Sequence, residues 1–508
     1  MPTVKAARLP GSQGMTTRAR AQRRSVAESG RLEKRARADP AFGPQEWRDW
    51  PNLFPDLVLE ISGRLLSLDV AEYLRFRAVC KPWRDLTDDP RASGALDSRF
   101  RPRDWMVLAI TPEAGPRRRL LNLATAASIG VYLPALSAHC YMCSTDGLLV
   151  LFDRTTRAIR LLDPLTGVLT DFPAFTISNV IAAVPPVKPE YISAVFRNLP
   201  WGGTNPNAID GAGIDDSTSP PTLLLCLRNS LSNIIFAKPG DEHWTLVSQG
   251  DAFFPQYERE GKVHYHSLQS FQGHCYVTTP EGSVYVVQLS PMPRLAKIIL
   301  EQYDVCPYRY RHLSFVRSFL ATFGDCHGHH GGHQRMLMVR YWVNIENFGG
   351  RAAYKRTQLH TVRDFAGPVT GRIEVLEVDI ARRRLVPMSG LGCHAVFLGT
   401  THCVVVSTKM FPSIAADAVY LSYMMQFHHN FSIYHINNRR SRSGSLMTYV
   451  DSGKKTRTEP PYKFDMNEDG KAVPCAQPCN VDEYLICYVD RKHMLSGPCI
   501  NHPKHDKL

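Results

Sequence analysis

The sequence has no run of apolar residues long enough to cross a bilayer. No stretch approaches the roughly 18 consecutive apolar residues that a transmembrane helix needs. The first residues, MPTVKAARLP, lack the apolar core of a secretory signal peptide. The 13 cysteines are scattered without the spacing of a disulfide framework. We therefore expect a protein of the nucleus, the cytoplasm or both, with cysteines in the thiol form and no membrane partner.

Motifs that carry familiar chemistry are also lacking. There is no G-x-S-x-G, no P-loop, no H-E-x-x-H and no G-x-G-x-x-G after a strand. Residues 326–333 (CHGHHGGH) are the most metal-like segment, but no second ligand group lies at a recognised spacing. Cys140 and Cys143 form a C-x-x-C pair that a strand follows, whereas a redox motif needs a helix there. We predict a protein that is not an enzyme and uses no cofactor and no metal. A metal enzyme built on the 326–333 loop is the third-ranked hypothesis.

Positive charge is concentrated at the start of the chain. The formal net charge is +13, and residues 18–37 hold eight Lys or Arg residues against two Glu. This segment has almost no large apolar side chains, so residues 1–45 are predicted to be a disordered basic arm. The arm suits a nuclear-import signal, a nonspecific phosphate contact or a solvated tail. It has no interleaved aromatic residues, which argues against base stacking.

Residues 47–86 are the clearly helical block of the sequence. Asp56 is placed to cap a helix in which Leu57, Ile61 and Leu65 recur every four residues on one face. This spacing predicts an amphipathic helix.

Two further short helices follow the first. Ser67 or Asp69 is placed to cap the second, and Pro82 suits the first turn of the third. A module this small buries too little surface to be stable alone. We therefore expect that residues 46–100 bind a partner or, alternatively, form a helical cap on the following domain.

From residue 101 to residue 490 the pattern changes to short apolar runs that are broken by turn residues. These runs predict strands at Trp105–Ile110, Gly147–Phe152, Ile159–Leu162, Thr222–Leu227, Ile234–Ala237, Ser283–Leu289, Met336–Val343, Ile373–Val378, Cys403–Ser407, Val419–Tyr423 and Tyr484–Val489. A large all-β domain needs protected strand edges, which a β-propeller or a double sandwich provides. Residues 200–220 and 437–475 are predicted to be loop insertions, and residues 491–508 a tail.

The helical block resembles the F-box of plant F-box proteins. The run from Trp50 to Leu65 and the later L-R-F-R-A-V-C-K-P-W-R carry the likeness, and Phe54 departs from it where the family has proline. The resemblance implies that the block binds a Skp-family adaptor, which connects to a cullin scaffold. The adaptor-binding residues that it implies are Leu53, Pro55, Leu57, Ile61, Leu65, Leu74, Val79, Cys80 and Trp83.

The remainder resembles the KIB-type β-propeller domain of plants, which often follows an F-box. The likeness starts at Ser144–Leu148 and Leu162–Gly167, continues through Phe236–Asp241 and Val375–Asp379, and ends near Val419–Tyr420. The family often has asparagine at the position of Asp163. The resemblance implies a β-propeller, and no strict sequence repeat gives its blade count.

The leading hypothesis is therefore a substrate-recruiting F-box subunit of an SCF-type (cullin-RING) E3 ubiquitin ligase. The F-box would bind the adaptor, and the propeller would bind a protein substrate that the sequence does not identify. The alternative is a nuclear protein that contacts nucleic acid through its basic arm and has a degenerate F-box.

Overall fold

The fold is that of a computed structural model, which describes residues 49–108, 116–153, 155–176, 209–227, 234–248, 265, 267–279, 282–299, 314–324, 334–345, 369–399, 403–421, 433–435, 447–448, 464–466, 472–474, 481, 485, 488 and 489. Four helices precede the first strand, after a 3-10 turn at Trp50–Asn52. They are α1 (Pro55–Leu68), α2 (Val70–Arg77), α3 (Lys81–Leu86) and α4 (Pro90–Ser93). We call these four helices the helical module.

The helix starts follow from local chemistry. Helix α1 begins one residue before the predicted cap, with Pro55 at its first position and Asp56 in its first turn. Of the two predicted caps of α2, Asp69 and not Ser67 is the one observed, and its carboxylate accepts a hydrogen bond from the backbone N–H of Ala71 at 2.9 Å. Pro82 lies in the first turn of α3, also as predicted.

The rest of the described chain is mostly strand, with a short helix, α5 (Ala135–Ala138), and helical residues at 481, 485, 488 and 489. In chain order the sheets contain β1 (Trp105–Val107), β2 (Arg117–Asn122) and β3 (Ser128–Tyr132); β4 (His139–Thr145), β5 (Leu148–Asp153), β6 (Ala158–Leu162) and β7 (Leu169–Ala174); β8 (Ile209–Asp215), β9 (Thr222–Leu227), β10 (Ile234–Ala237) and β11 (Thr245–Leu246); β12 (Ser267–Phe271), β13 (His274–Thr278), β14 (Val284–Gln288) and β15 (Arg294–Ile299); β16 (Ser314–Phe323), β17 (Arg335–Ile345), β18 (Val369–Asp379) and β19 (Arg384–Pro387); and β20 (His394–Leu398), β21 (Cys403–Ser407), β22 (Ala418–Leu421) and β23 (Ile433–His435).

These six sheets are the blades of a β-propeller, and we number them 1 to 6 in chain order. Within the described residues, blades 2 to 6 meet their neighbours through β4, β8, β12, β16 and β21. Two later pieces add small strands: β24 (Met447–Thr448) pairs with β18, and β25 (Phe464–Met466) pairs with β26 (Ala472–Pro474). The prediction of a small all-α module followed by a large all-β propeller is confirmed.

An apolar core fills each junction between consecutive blades. Strand β9 is apolar at every position after Thr222, because it is covered on both faces. Leu223 and Leu225 pack against blade 2, whereas Leu224 and Cys226 pack against blade 4. Because successive side chains point to opposite faces, a strand that is covered on both sides has no polar position.

The C-terminal residues correct one predicted strand. Tyr484–Val489 was predicted to be a strand, but the described residues of this part, Val481, Leu485, Tyr488 and Val489, are helical. Their spacing of four, three and one residues places them on one helical face. Leu485 and Val489 are fully buried in the core between blades 6 and 1. The apolar run was too short to separate a buried strand from a buried helix.

This segment closes the ring. Blade 1 has three described strands, and its core with blade 6 includes Leu485 and Val489. The Tyr488 hydroxyl shares a hydrogen bond of 2.5 Å with the Ser144 hydroxyl of blade 2. A Cβ at Gly399, after β20 of blade 6, would lie 1.9 Å from the Val489 carbonyl oxygen. The helical segment therefore contacts blades 1, 2 and 6.

The predicted loop at residues 200–220 is wrong for residues 209–215, which form β8. The glycines that suggested a loop have a packing role instead. A Cβ at Gly213 would lie 2.7 Å from the Cys275 Sγ of blade 4, so the close approach of the two blades requires glycine. The predicted insertion at residues 437–475 contains the short strands β24, β25 and β26, and its other residues lie outside the described part.

Candidate protein-interaction surface

Helix α1 has an apolar face that is only partly covered. At about 100° per residue, Leu57, Ile61 and Leu68 fall within an arc of roughly 40° on the helix, and Leu65 lies beside them. The buried residues of the helix, Val58 and Ser62, lie beyond Leu65, on the side away from Leu57. The apolar face is therefore wider than the strip that the protein itself buries.

The exposed fractions support this reading. Leu57 is 47% exposed, Ile61 is 37% exposed and Leu68 is 43% exposed, whereas Val58 is fully buried. Of the twelve exposed large hydrophobic side chains among the described residues, eight lie between residues 50 and 86. Single exposed apolar residues are ordinary, but a concentration in one short segment is typical of an interaction surface. We call Leu57, Ile61, Leu65 and Leu68 the α1 stripe.

The predicted adaptor-binding residues divide into three groups. Pro55, Leu57, Ile61 and Val79 are exposed. Leu53, Leu65, Leu74 and Cys80 are half-buried. Trp83 is buried.

Trp83 holds the helices together instead of facing outward. Its ring stacks on Phe76 of α2, with centroids 4.4 Å apart and planes 16° apart. Its backbone oxygen accepts the hydroxyl of Thr87 at 2.8 Å, and that hydroxyl also accepts a hydrogen bond from the buried guanidinium of Arg77. The role that the structure supports for Trp83 is therefore to fix α3 against α2.

Three exposed residues of the module were missed by the sequence reasoning: Leu59, Leu68 and Leu86. Leu68 carries a usable signal, because it falls on the helical face of Leu57 and Ile61. Leu59 and Leu86 lie off that face, and nothing local distinguishes them from core residues.

Asp69 joins the helical module to blade 1. Beyond capping α2, its Oδ1 accepts the indole N–H of Trp105 at 2.8 Å. Its Oδ2 accepts the side-chain amide of Asn122 at 3.1 Å. Trp105 and Asn122 are buried residues of β1 and β2. One carboxylate is thus shared by a helix and two strands.

Arg101 forms a second connection, between the chain that follows the module and blades 2 and 3. Its side chain is fully buried, and its guanidinium donates to Asp146 at 3.1 Å, to Asp216 at 3.0 Å and to the Leu96 carbonyl at 2.6 Å. Burial raises the pKa of Asp146, while the positive charges of Arg103 and Arg101 oppose that rise. Two carboxylates therefore share the guanidinium of Arg101, and Asp146 is also stabilised by the charge of Arg103.

The turn at Asp146 is built for this contact. Asp146 and Gly147 both have positive φ, 49° and 78°, in the two-residue turn between β4 and β5. A Cβ at Gly147 would lie 1.8 Å from the carbonyl oxygen of Pro102. Only glycine fits, because the backbone next to Arg101 passes directly over the turn.

The two cysteines of the C-x-x-C pair lie in the interior of blade 2. Cys140 and Cys143 are buried on β4, which leads into β5 as predicted. Burial raises the pKa of the Cys403 thiol and of the Cys275 thiol. Within the described ranges, no group of three or more His, Cys, Asp or Glu side chains is placed to hold a metal ion. The 326–333 loop lies outside the described residues.

Cys393 departs from the expectation that the cysteines are thiols, because it is disulfide-bonded. Pairing depends on which side chains the tertiary fold brings together, and sequence spacing does not show this. The basic arm, residues 1–45, and the tail, residues 491–508, also lie outside the described part. In the described part, no helix is both long and apolar enough to span a membrane.

Comparison with known proteins places the propeller in a family. The model of the KIB1-4 beta-propeller family matches residues 119–444, which is more than half of the chain. No curated protein matches the chain.

Solved structures give weaker likenesses. Hsv2 of Kluyvelomyces marxianus is 11% identical with a TM-score of 0.21, and the match covers 48% of this chain and 64% of that chain. The Cps50 (Swd1) beta-propeller domain of Myceliophteria thermophila is 9% identical with a TM-score of 0.23, and the match covers 59% of this chain and 75% of that chain. The family match, together with the six blades, is the stronger finding: this chain belongs to the KIB1-4 β-propeller family.

Proposed function

We propose that this protein is a substrate receptor of an SCF-type (cullin-RING) E3 ubiquitin ligase. In this proposal the helical module binds a Skp-family adaptor, and the adaptor connects it to a cullin scaffold. The propeller binds a protein substrate. The observation that carries the proposal is the α1 stripe, a partly exposed apolar helix face within a sequence that resembles an F-box.

Exposure of the stripe to water is unfavourable. Burying the exposed part of one leucine or isoleucine side chain contributes about 1 kcal/mol, since full burial contributes roughly 1.5–3 kcal/mol. Protein interfaces use such apolar residues at their centre and surround them with polar ones. In α1, Glu60 and Arg64 lie next to the stripe and form an ion pair of 2.7 Å with each other. This arrangement suits the centre and rim of an interface.

The departure at Phe54 is compatible with the proposal. Phe54 stands where F-box proteins have proline, and its side chain is 76% exposed. An exposed aromatic ring adds apolar area next to the start of α1. Its effect on adaptor affinity is measured directly by Phe54→Pro.

The propeller supplies the second half of the function. Its family and fold are those of an interaction scaffold. In a ligase, the chain would contribute proximity and orientation of the substrate, because the ubiquitin transfer itself occurs on an associated enzyme. No catalytic residue is therefore assigned to this chain.

The test is co-purification of the full chain with a Skp-family adaptor. Leu57→Asp with Ile61→Asp places two charges in the α1 stripe and should abolish capture. Met292→Asp is the matched control, because Met292 is 74% exposed on blade 4. It should leave capture unchanged. Wild-type protein that captures no adaptor would reject the proposal.

A further inference from the structure

Asp69 is the single residue between α1 and α2. Helix α1 ends at Leu68 and α2 begins at Val70, and Asp69 itself is extended, with φ −163° and ψ 129°. The direction of α1 relative to α2 is therefore set at this residue. The same residue carries the carboxylate that reaches β1 and β2.

We propose that Asp69 is a positioning residue, which holds the α1 stripe at one fixed orientation relative to the propeller. The inference deepens the proposed function and rests on it for its consequence in ubiquitin transfer. The orientation itself is a property of the chain alone and is measured without an adaptor.

The three donors at Asp69 require a carboxylate. The Ala71 N–H and the Trp105 indole N–H act only as donors. The Asn122 amide is fixed as well, because its Oδ1 accepts the backbone N–H groups of Ala124 at 2.8 Å and Thr125 at 2.9 Å. Its Nδ2 must therefore donate to Asp69.

Both oxygens of Asp69 thus have to accept. An asparagine at position 69 would place its own NH2 group opposite one of these donors, where only an acceptor can form a hydrogen bond. Since Asn122 cannot rotate without losing two hydrogen bonds, even this isosteric change breaks the joint.

Packing next to Asp69 makes the joint stiff. Ala71 lies in the core between blades 1 and 2. Val70 and Tyr73 pack with Phe100, and Leu165 of the β6–β7 turn packs against the same cluster. Helix α2 is thus held on blade 1 by Asp69 and against blade 2 by apolar contacts.

A fixed orientation matters for the proposed reaction. A receptor without bond chemistry contributes to ubiquitin transfer through geometry, and small misplacements of reacting groups are costly. A stripe that is locked to the propeller would present a bound substrate to the ligase in one geometry. Loosening the joint would leave each binding site intact but would allow many orientations of the stripe relative to the propeller.

The experiment is single-molecule FRET on the full chain, with two fluorophores attached to non-natural amino acids at positions 59, on α1 but off the stripe, and 292. Both positions are exposed, one in the helical module and one on blade 4. Wild type should give a single narrow distance distribution. Asp69→Asn and Asp69→Ala should lose that narrow peak.

Two further variants keep the result interpretable. Asp85→Ala removes an exposed carboxylate from α3 and should retain the narrow peak. Trp105→Phe removes the indole N–H and leaves the α2 cap in place, so it should also broaden the peak. It provides the test if Asp69→Ala does not fold. Melting curves identify which variants retain the folded propeller.

A broad distribution in wild type would overturn the inference, and so would an unchanged narrow peak in folded Asp69→Asn and Trp105→Phe. Failure of the proposed function gives a different result, namely a narrow wild-type peak without adaptor capture. In a reconstituted ligase, Asp69→Asn should bind adaptor normally and transfer ubiquitin to a wider set of lysines. An unchanged set would count against a role in positioning.

Discussion

Replacing Arg101 with methionine should destabilise the protein in a pH-dependent way. The guanidinium is fully buried and neutralises two carboxylates, of which Asp146 is 12% exposed and Asp216 is 22% exposed. Methionine has a similar length but leaves both carboxylates and the Leu96 carbonyl without their donor. Removing one member of a buried ion pair costs about 3–5 kcal/mol. Since Asp216 keeps some contact with water, we expect about 3 kcal/mol at pH 7.5.

The sign of the pH dependence follows from Asp146. Burial raises its pKa in the wild type, and Arg101 opposes that rise. Without Arg101 the pKa in the folded state rises further above its value in the unfolded chain. Such a group contributes stability below the unfolded pKa and loses it as the pH rises through the folded pKa. The difference between wild type and variant should therefore be smaller at pH 5 than at pH 7.5.

Urea unfolding at the two pH values, followed by tryptophan fluorescence, measures both quantities. Arg99→Met is the control, because Arg99 is about half exposed and pairs with Asp97 and Asp88 at the surface. Its loss should cost less than about 1 kcal/mol. An Arg101→Met variant as stable as Arg99→Met, or one with the same deficit at both pH values, would refute the reasoning.

Three further predictions concern the propeller. Leu485→Ala should lower the free energy of unfolding by about 2–5 kcal/mol, because Leu485 is fully buried in the core that closes the ring; a loss below about 1 kcal/mol in urea unfolding would contradict that role. Asp163→Asn should be tolerated within about 1 kcal/mol, whereas Asp163→Ala should cost more, because Oδ1 accepts the Leu165 N–H at 2.8 Å and an amide oxygen can do the same. Burial raises the pKa of Asp163, so the free energy of unfolding falls as the pH rises through that pKa. Asp163→Asn should remove this pH dependence, and a variant with the same pH profile of stability as the wild type would contradict the prediction. Gly147→Ala should lower the melting temperature clearly more than Gly63→Ala, because a Cβ at Gly63 meets nothing within 4 Å.

Local periodicity predicted the helices α1, α2 and α3 and ten of the described strands. The four-residue spacing of Leu57, Ile61 and Leu65 gave α1, and the Asp69 cap gave the start of α2. Strand β9 was bounded correctly because its apolar run is continuous and ends at turn residues. In each of these cases the decisive signal lies within one element.

The features that were missed depend on distant contacts. Nothing local shows that Asp69 also binds Trp105 and Asn122, because those residues are 36 and 53 positions away. The helical residues Val481, Leu485, Tyr488 and Val489 belong to a run that resembled a strand, since the contacts of Tyr488 with Ser144 and of Val489 with Gly399 are distant in sequence. Glycines in β8 suggested a loop because the blade that crowds them follows later in the chain.

The candidate site was predictable in part. The sequence indicated the helical face, and the exposure of Leu57 and Ile61 agrees with an interaction surface. Trp83 was the exception, because the sequence alone does not show whether an aromatic residue in this motif contacts the adaptor or packs in the core of the helical module. Its stacking on Phe76 shows the second of these roles.

The central claim is that the helical module binds a Skp-family adaptor through the α1 stripe. Isothermal titration calorimetry of the full chain with purified adaptor measures this directly. We predict saturable binding by wild type and Met292→Asp, and a loss of at least about 30-fold for Leu57→Asp with Ile61→Asp, which corresponds to roughly 2 kcal/mol. Equal affinity of the double variant and wild type, with both proteins folded, would contradict the claim.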